Sequence, residues 1–166
     1  MIFGFNAEEV FDIAIAIEEN GKRFYDEACR IVDDEAVRTL FRELAQEEVK
    51  HKERFIELKN QIPEDVKGQT VYDPDHEITL YLKMMADDHV FRTGESVAEK
   101  VASIKSPEDA LKMAMQFEKD SVIFFLTMKD HTEDPKGKEM VDLLVKEEQQ
   151  HLRRISAALR ALKQKP

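Results

Sequence analysis

The chain has 166 residues, 42% of them hydrophobic and 36% charged, which is enough for one well-cored domain. Five Gly and five Pro favour helices with few turns over a sandwich or barrel, and a net charge of -10 argues against nucleic acid or anionic lipid as partner. No run approaches the ~20 apolar residues of a membrane span.

The opening Met1-Ile2-Phe3-Gly4-Phe5 lacks a basic stretch and runs straight into acidic sequence, so it does not read as a signal peptide. Phe3 and Phe5 are expected to dock on the body of the protein or on a partner subunit. A first helix starts after Asn6, with Glu9 completing a capping box, and runs to about Val32. Its apolar stripe is Phe11, Ala14, Gly21, Tyr25 and Ala28, and Glu18 falls on it. Glu19 instead shares a face with Asp12, Arg23 and Asp26, which selects Glu18 as the inward carboxylate. Cys29 is the one cysteine, so neither a disulfide nor a Cys-x-x-Cys knuckle can form. It reads as a small buried hydrophobe, and the compartment as a reducing cytoplasm.

A second helix spans about Asp34 to Lys59. Val37, Phe41, Leu44, Glu48, His51, Phe55 and Leu58 alternate by four and three, the spacing of a buried seam. A Glu and a His in a seam otherwise made of Val, Phe and Leu need a reason to be there. Residues 60–105 form a long, partly helical crossover broken by Pro63, Gly68, Pro74 and Gly94. Within it His76–Phe91 reads as a helix setting Leu80, Met84 and His89 toward the bundle, and Ser96–Ile104 as a shorter one. Ser106-Pro107-Glu108-Asp109 opens the third long helix, with Leu111, Ala114, Glu118, Val122 and Phe125 on one face. Asp134 and Pro135 open the fourth, whose seam is Val141, Leu144, Glu148, His151, Ile155, Ala158 and Leu162.

Glu18, Glu48 and His51 recur 100 positions later as Glu118, Glu148 and His151. The turns fall near Asp33 and Glu133, and each Glu of a pair lies 15 residues from its turn. At about 1.5 Å per residue, the members of a hairpin therefore stand at one height. Glu and His three apart on a helix point the same way, so each motif can hold one ion from two sides. One Glu from each of two helices and Glu-x-x-His from each of the other two is the ligand plan of ferritin-like di-iron bundles. Four carboxylates balance two divalent ions, and without a cation they could not all stay ionised in an apolar seam. Carboxylate and imidazole suit iron or manganese, and zinc could occupy such a site on affinity alone.

Other residues carry weaker signals. Glu47 and Glu147 precede the seam residues and, turned about 100° away, read as solvated surface. His76, His89 and His131 have no repeat partner and read as surface or cap positions, and Met84, Met85, Met113 and Met115 as core filler. Tyr25 lies seven residues after Glu18 on its face. Its hydroxyl could orient a carboxylate or quench a radical, and plain packing is an equal alternative; Phe125 takes the equivalent place in the second half.

Glu18 with Tyr25, Glu48-x-x-His51, Glu118 and Glu148-x-x-His151 together resemble the rubrerythrin branch of the ferritin-like superfamily, in particular its small single-domain members. The resemblance implies an all-α, ferritin-like four-helix bundle of two hairpins over residues 1–166. It also implies two iron ions, bridged by Glu48 and Glu148, with Glu18 and Glu118 terminal and His51 and His151 one to each ion. The family's second Glu, three residues after the third-helix ligand, is Ser121 here. Its rubredoxin domain would need Cys-x-x-Cys pairs, and this sequence has none, so a separate rubredoxin-like protein is the expected electron donor. The expected activity is redox chemistry with peroxide or dioxygen. Ferroxidase or iron-storage function is the alternative, although the 15 residues after His151 are too few for the extra helix of ferritins; a non-catalytic, metal-stabilised interaction or sensor module is a third. A homodimer is the expected assembly.

Overall fold

A computed structural model describes residues 7–62, 64, 77–89, 93–132 and 134–164. Regular structure among them is entirely helical: α1 (Ala7–Ile31), α2 (Glu35–Asn60), α3 (Glu77–Asp88), α4 (Gly94–Ala102), α5 (Pro107–Asp130) and α6 (Pro135–Lys163). The starts follow local chemistry. The Asp34 carboxylate accepts the Val37 N–H at 3.1 Å, Ser106 accepts that of Asp109 at 3.1 Å, and Asp134 accepts that of Gly137 at 2.6 Å. Pro107 and Pro135 each occupy the first helical position, where no N–H is needed. Such caps contribute about 1 kcal/mol apiece. Thr93 and Ser96 form a reciprocal capping box that opens α4. The expected box at Asn6, the docking of Phe3 and Phe5, and His76 lie outside the described residues.

The helices α1 and α2 pack along their length as one hairpin, and α5 and α6 as the other. The hairpins meet through α2 against α6 and α1 against α5, while α4 lies on α1 and α3 on α5. Seam positions are buried as the spacing requires: Phe41, Leu44, Phe55, Leu111, Leu144 and Ile155 expose nothing. Ala158 and Leu162, at the far end of α6, are half-buried. Each wholly buried Phe or Leu contributes about 1.5–3 kcal/mol, and this apolar frame is what permits polar groups at the same level. Gly21 is dictated by close approach: a Cβ there would lie 2.3 Å from Phe117 Cζ and 3.2 Å from Glu48 Oε2. No helix among the described residues is long and apolar enough to cross a membrane.

Three expectations need correction. Helix α3 is rotated nearly half a turn from the reading that put Leu80 and Met84 inward. Leu80 is 63% exposed and Met84 50%, whereas Leu82 is buried and Met85 and Ala86 are half-buried. Leu82, Met85, Ala86 and His89 form the i, i+3, i+4, i+7 stripe that faces the protein. Met84 is accordingly not core filler. Cys29 is half-buried, its thiol 3.5 Å from the Arg38 carbonyl oxygen.

Candidate metal centre

Six side chains from four helices converge at mid-bundle. Glu18 comes from α1, Glu48 and His51 from α2, Glu118 from α5, and Glu148 and His151 from α6; none is more than 2% exposed. Their donor atoms fall into two groups, Glu18, Glu48, His51 and Glu148, and Glu48, Glu118, Glu148 and His151. Within each group the atoms lie within 4.8 Å of one another. The groups share Glu48 and Glu148. Both histidines turn Nδ1 inward: that of His51 is 2.5 Å from Glu148 Oε1 and 3.5 Å from Glu18 Oε2. That of His151 is 3.2 Å from Glu148 Oε2, 3.3 Å from Glu118 Oε1 and 3.5 Å from Glu48 Oε1. The rings stack, with centroids 5.3 Å apart and planes 14° from parallel.

The donor set fits a pair of cations. Both oxygens of Glu18, Glu48 and Glu148, Oε2 of Glu118, and Nδ1 of both histidines are buried without a hydrogen-bond partner. Every such orphaned atom among the described residues belongs to these six side chains. Buried polar atoms are normally satisfied, so a cluster confined to one place marks atoms arranged for something other than one another. The electrostatics agree. Burial, reinforced by neighbouring carboxylates, raises the Glu18, Glu48 and Glu118 carboxyls above the ordinary range. Glu148 moves the other way: burial opposes its charge, but the positive His51 facing it, with Glu118 and His151 close beside it, holds it well below. The imidazoles are raised despite burial, His51 chiefly by Glu148 and His151 chiefly by Glu118. Protons therefore hold the metal-free cluster together, and divalent ions would displace them.

The outer edges of the histidines correct the surface reading of Glu47 and Glu147. His151 Nε2 lies 2.7 Å from Glu47 Oε2, and His51 Nε2 lies 2.9 Å from Glu147 Oε2. Each carboxylate belongs to the other hairpin, so α2 and α6 run antiparallel and the pairing is reciprocal. Arg154 grips both Glu47 oxygens at 3.0 and 2.9 Å, and Arg54 pairs with Glu147. The His151 hydrogen bond, helped by Arg154, holds Glu47 down to about 2, and the His51 bond with Arg54 lowers Glu147. A surface cavity of about 250 Å³ opens over this lattice. Spacing alone could not find these residues, but the repeat carried a signal: Glu47/Glu147 and Arg54/Arg154 keep the same interval of 100 as the six converging side chains.

Across the bundle, Tyr25 is wholly buried against Phe24, Phe41 and Phe117, and its hydroxyl donates to Glu118 Oε1. Burial first, then the Glu118 and Glu48 charges, pushes its phenol further up, so it stays protonated. Phe125 cannot return the favour to Glu18 and packs instead on Phe55, centroids 4.8 Å apart. Ser121 is buried, with His89 Nε2 at 3.3 Å from its hydroxyl and the His89 ring edge-on to Phe117. His89, set toward the bundle by the helical reading of the crossover and at the surface by its lack of a repeat partner, is 4% exposed. His131 is exposed at the C-cap of α5, as expected.

The family model for rubrerythrin matches residues 9–159, which include all six converging side chains. The chain belongs to the rubrerythrin family. Among solved structures, a Thermotoga maritima protein provisionally described as ferritin-like diiron-carboxylate shares the fold, with a TM-score of 0.67 at 24% identity, over 96% of this chain and 98% of that one. No curated protein gives a significant match. As a member of the rubrerythrin family with an all-helical, ferritin-like bundle, the protein carries a buried carboxylate–imidazole cluster of the kind that takes two metal ions.

Proposed function

We propose that the protein is a di-iron oxidoreductase that reduces hydrogen peroxide or dioxygen with electrons from a separate donor protein. The observation that carries this reading is the pair of buried ligand groups sharing Glu48 and Glu148. Carboxylates common to both groups would hold two ions as one redox unit; separate binding sites would not need them. Glu48 and Glu148 would bridge, Glu18 and Glu118 would be terminal, and His51 and His151 would serve one ion each. When bound, iron would supply reversible electron transfer at the site. Iron is the metal of this reading, with manganese or zinc able to enter the same ligands.

The protein's own part is geometry, exclusion of water and control of protons. The apolar seams above and below keep the cluster dry, which strengthens every charge interaction inside it. Tyr25 holds Glu118 by one oxygen and leaves the other for a metal, and its phenol is the proton-bearing group beside the site. We take residues 1–166 as one di-iron domain with 60–105 as its crossover. The donor in this reading is a separate rubredoxin-like protein.

The test is an anaerobic ferrous titration of the metal-free protein, then hydrogen peroxide or air in parallel, read by near-ultraviolet absorbance. Saturation at two irons per chain with faster oxidation by peroxide supports a peroxidase. Faster oxidation by air with continued uptake of iron would replace this reading with a ferroxidase. Absence of stoichiometric binding would leave a metal-free interaction module.

A further inference from the structure

The lattice outside the histidines does more than cover them. We propose that Glu47 and Glu147 are reciprocal positioning residues: each hairpin's Glu-Glu-x-x-His segment supplies its imidazole to one ion while its leading Glu fixes the imidazole serving the other. The inference rests on the reading that the six buried side chains hold two ions.

Imidazole offers two nitrogens, of which a metal takes one. To ligate through the inward Nδ1, a neutral ring must carry its proton on Nε2. A carboxylate at hydrogen-bond distance from Nε2 selects that tautomer and raises the basicity of the ligating nitrogen. Glu47 does this for His151 at 2.7 Å, and Glu147 for His51 at 2.9 Å. The rings also stack on each other, so tilting one disturbs the next. Each carboxylate is kept from turning to solvent by an arginine: Arg154 binds both Glu47 oxygens and reaches Glu43 at 2.6 Å, and Arg54 holds Glu147. Those arginines sit three residues after the histidine that their carboxylate orients. Arg154 thus shares a helix with His151, and Arg54 with His51. Each clamp spans the α2–α6 interface.

One consequence separates this arrangement from ordinary surface ion pairs. Glu47 is next in sequence to Glu48, yet its effect falls on the ion served by His151. Glu147, beside Glu148, acts on the ion served by His51. A residue that merely supported its own helix would disturb its own motif first.

The experiment is an anaerobic Co(II) titration of the full metal-free chain, with visible absorption for affinity and NMR of the exchangeable, paramagnetically shifted imidazole N–H protons. His51→Ala and His151→Ala assign the two signals. Glu47→Ala is expected to weaken the site bearing the His151 signal by about 10–100-fold and to spare the His51 site; Glu147→Ala does the converse. Glu47→Gln, which retains an acceptor and nearly the same shape, shifts the His151 N–H signal with a smaller loss, and it decides the matter if the alanine variant does not fold. An effect on the same-repeat histidine, equal losses at both sites, or unchanged affinities would overturn the proposal. Wild-type protein that fails to take two Co(II) ions would strike the site reading itself. Normal wild-type loading without the crossed pattern would strike only this inference.

Discussion

The two faces of the bundle core treat the internal repeat differently. On the α2–α6 face it holds residue for residue: Glu47, Glu48, His51 and Arg54 are answered by Glu147, Glu148, His151 and Arg154. The contacts are reciprocal as well. On the α1–α5 face the only polar side chains kept at the site are the carboxylates Glu18 and Glu118, beside the apolar pairs Ala14/Ala114 and Phe24/Phe124. Gly21 is answered by Ser121 and Tyr25 by Phe125, and His89, just past the end of α3, packs against Ser121 alone of that pair. The hydrogen bonds follow: Glu118 has one oxygen tied by Tyr25, whereas neither oxygen of Glu18 has a partner. Metal holding needs the same donors twice, so that face stays symmetric. The other face is where the two halves differ: Tyr25 holds Glu118, and no hydroxyl holds Glu18.

The largest effect should come from breaking the symmetric face. Glu148→Ala, or Glu48→Ala, removes a carboxylate common to both ligand groups, so metal content should fall from two ions per chain toward none, with loss of metal-dependent stability. Elemental analysis and thermal unfolding check this, and wild-type metal content in either variant would refute the bridging role.

His89 probes the asymmetric face through pH. Burial lowers its pKa from 6.5 to about 4, so the folded protein keeps it neutral where the unfolded chain would protonate it. Its contribution is present above pH ~6.5 and is lost as pH falls toward ~4, amounting to roughly 3 kcal/mol at the bottom of that window. Urea unfolding of metal-free protein between those pH values should show the loss, and His89→Gln should flatten it.

Gly21→Ala places a methyl group into the Phe117 ring and beside Glu48, and should destabilise the metal-free protein by about 1–3 kcal/mol. A neutral result in thermal unfolding would mean that the ring moves aside without strain. Tyr25→Phe sharpens the comparison most finely, because it makes position 25 match Phe125. It should cost only about 1 kcal/mol of stability and leave two ions bound, while turnover with peroxide falls several-fold. Unchanged turnover would reduce Tyr25 to packing.

What was legible in the sequence follows the same division. The long helices and the six side chains that converge could be read because Glu and His interrupt apolar seams at positions the repeat confirms. Asp34, Ser106 and Asp134 marked helix starts through a chemistry that acts within three residues. Glu47 and Glu147 were misjudged because a single helix viewed alone puts them outside, and only the packing of α6 on α2 brings a histidine edge to each. Helix α3 failed for another reason. With Leu80, Tyr81, Leu82, Met84 and Met85 nearly consecutive, both of its faces look apolar, and contact with α5 decides the register. His89 had no repeat partner to flag it, and its burial depends on that register.

The central claim is that two ions share Glu48 and Glu148, and anomalous diffraction at the iron edge from crystals loaded with ferrous iron tests it most directly. The account predicts two peaks about 3.5–4 Å apart, each within bonding distance of one histidine Nδ1, with Glu48 and Glu148 reaching both. A single peak, or two peaks with either glutamate confined to one ion, would contradict it.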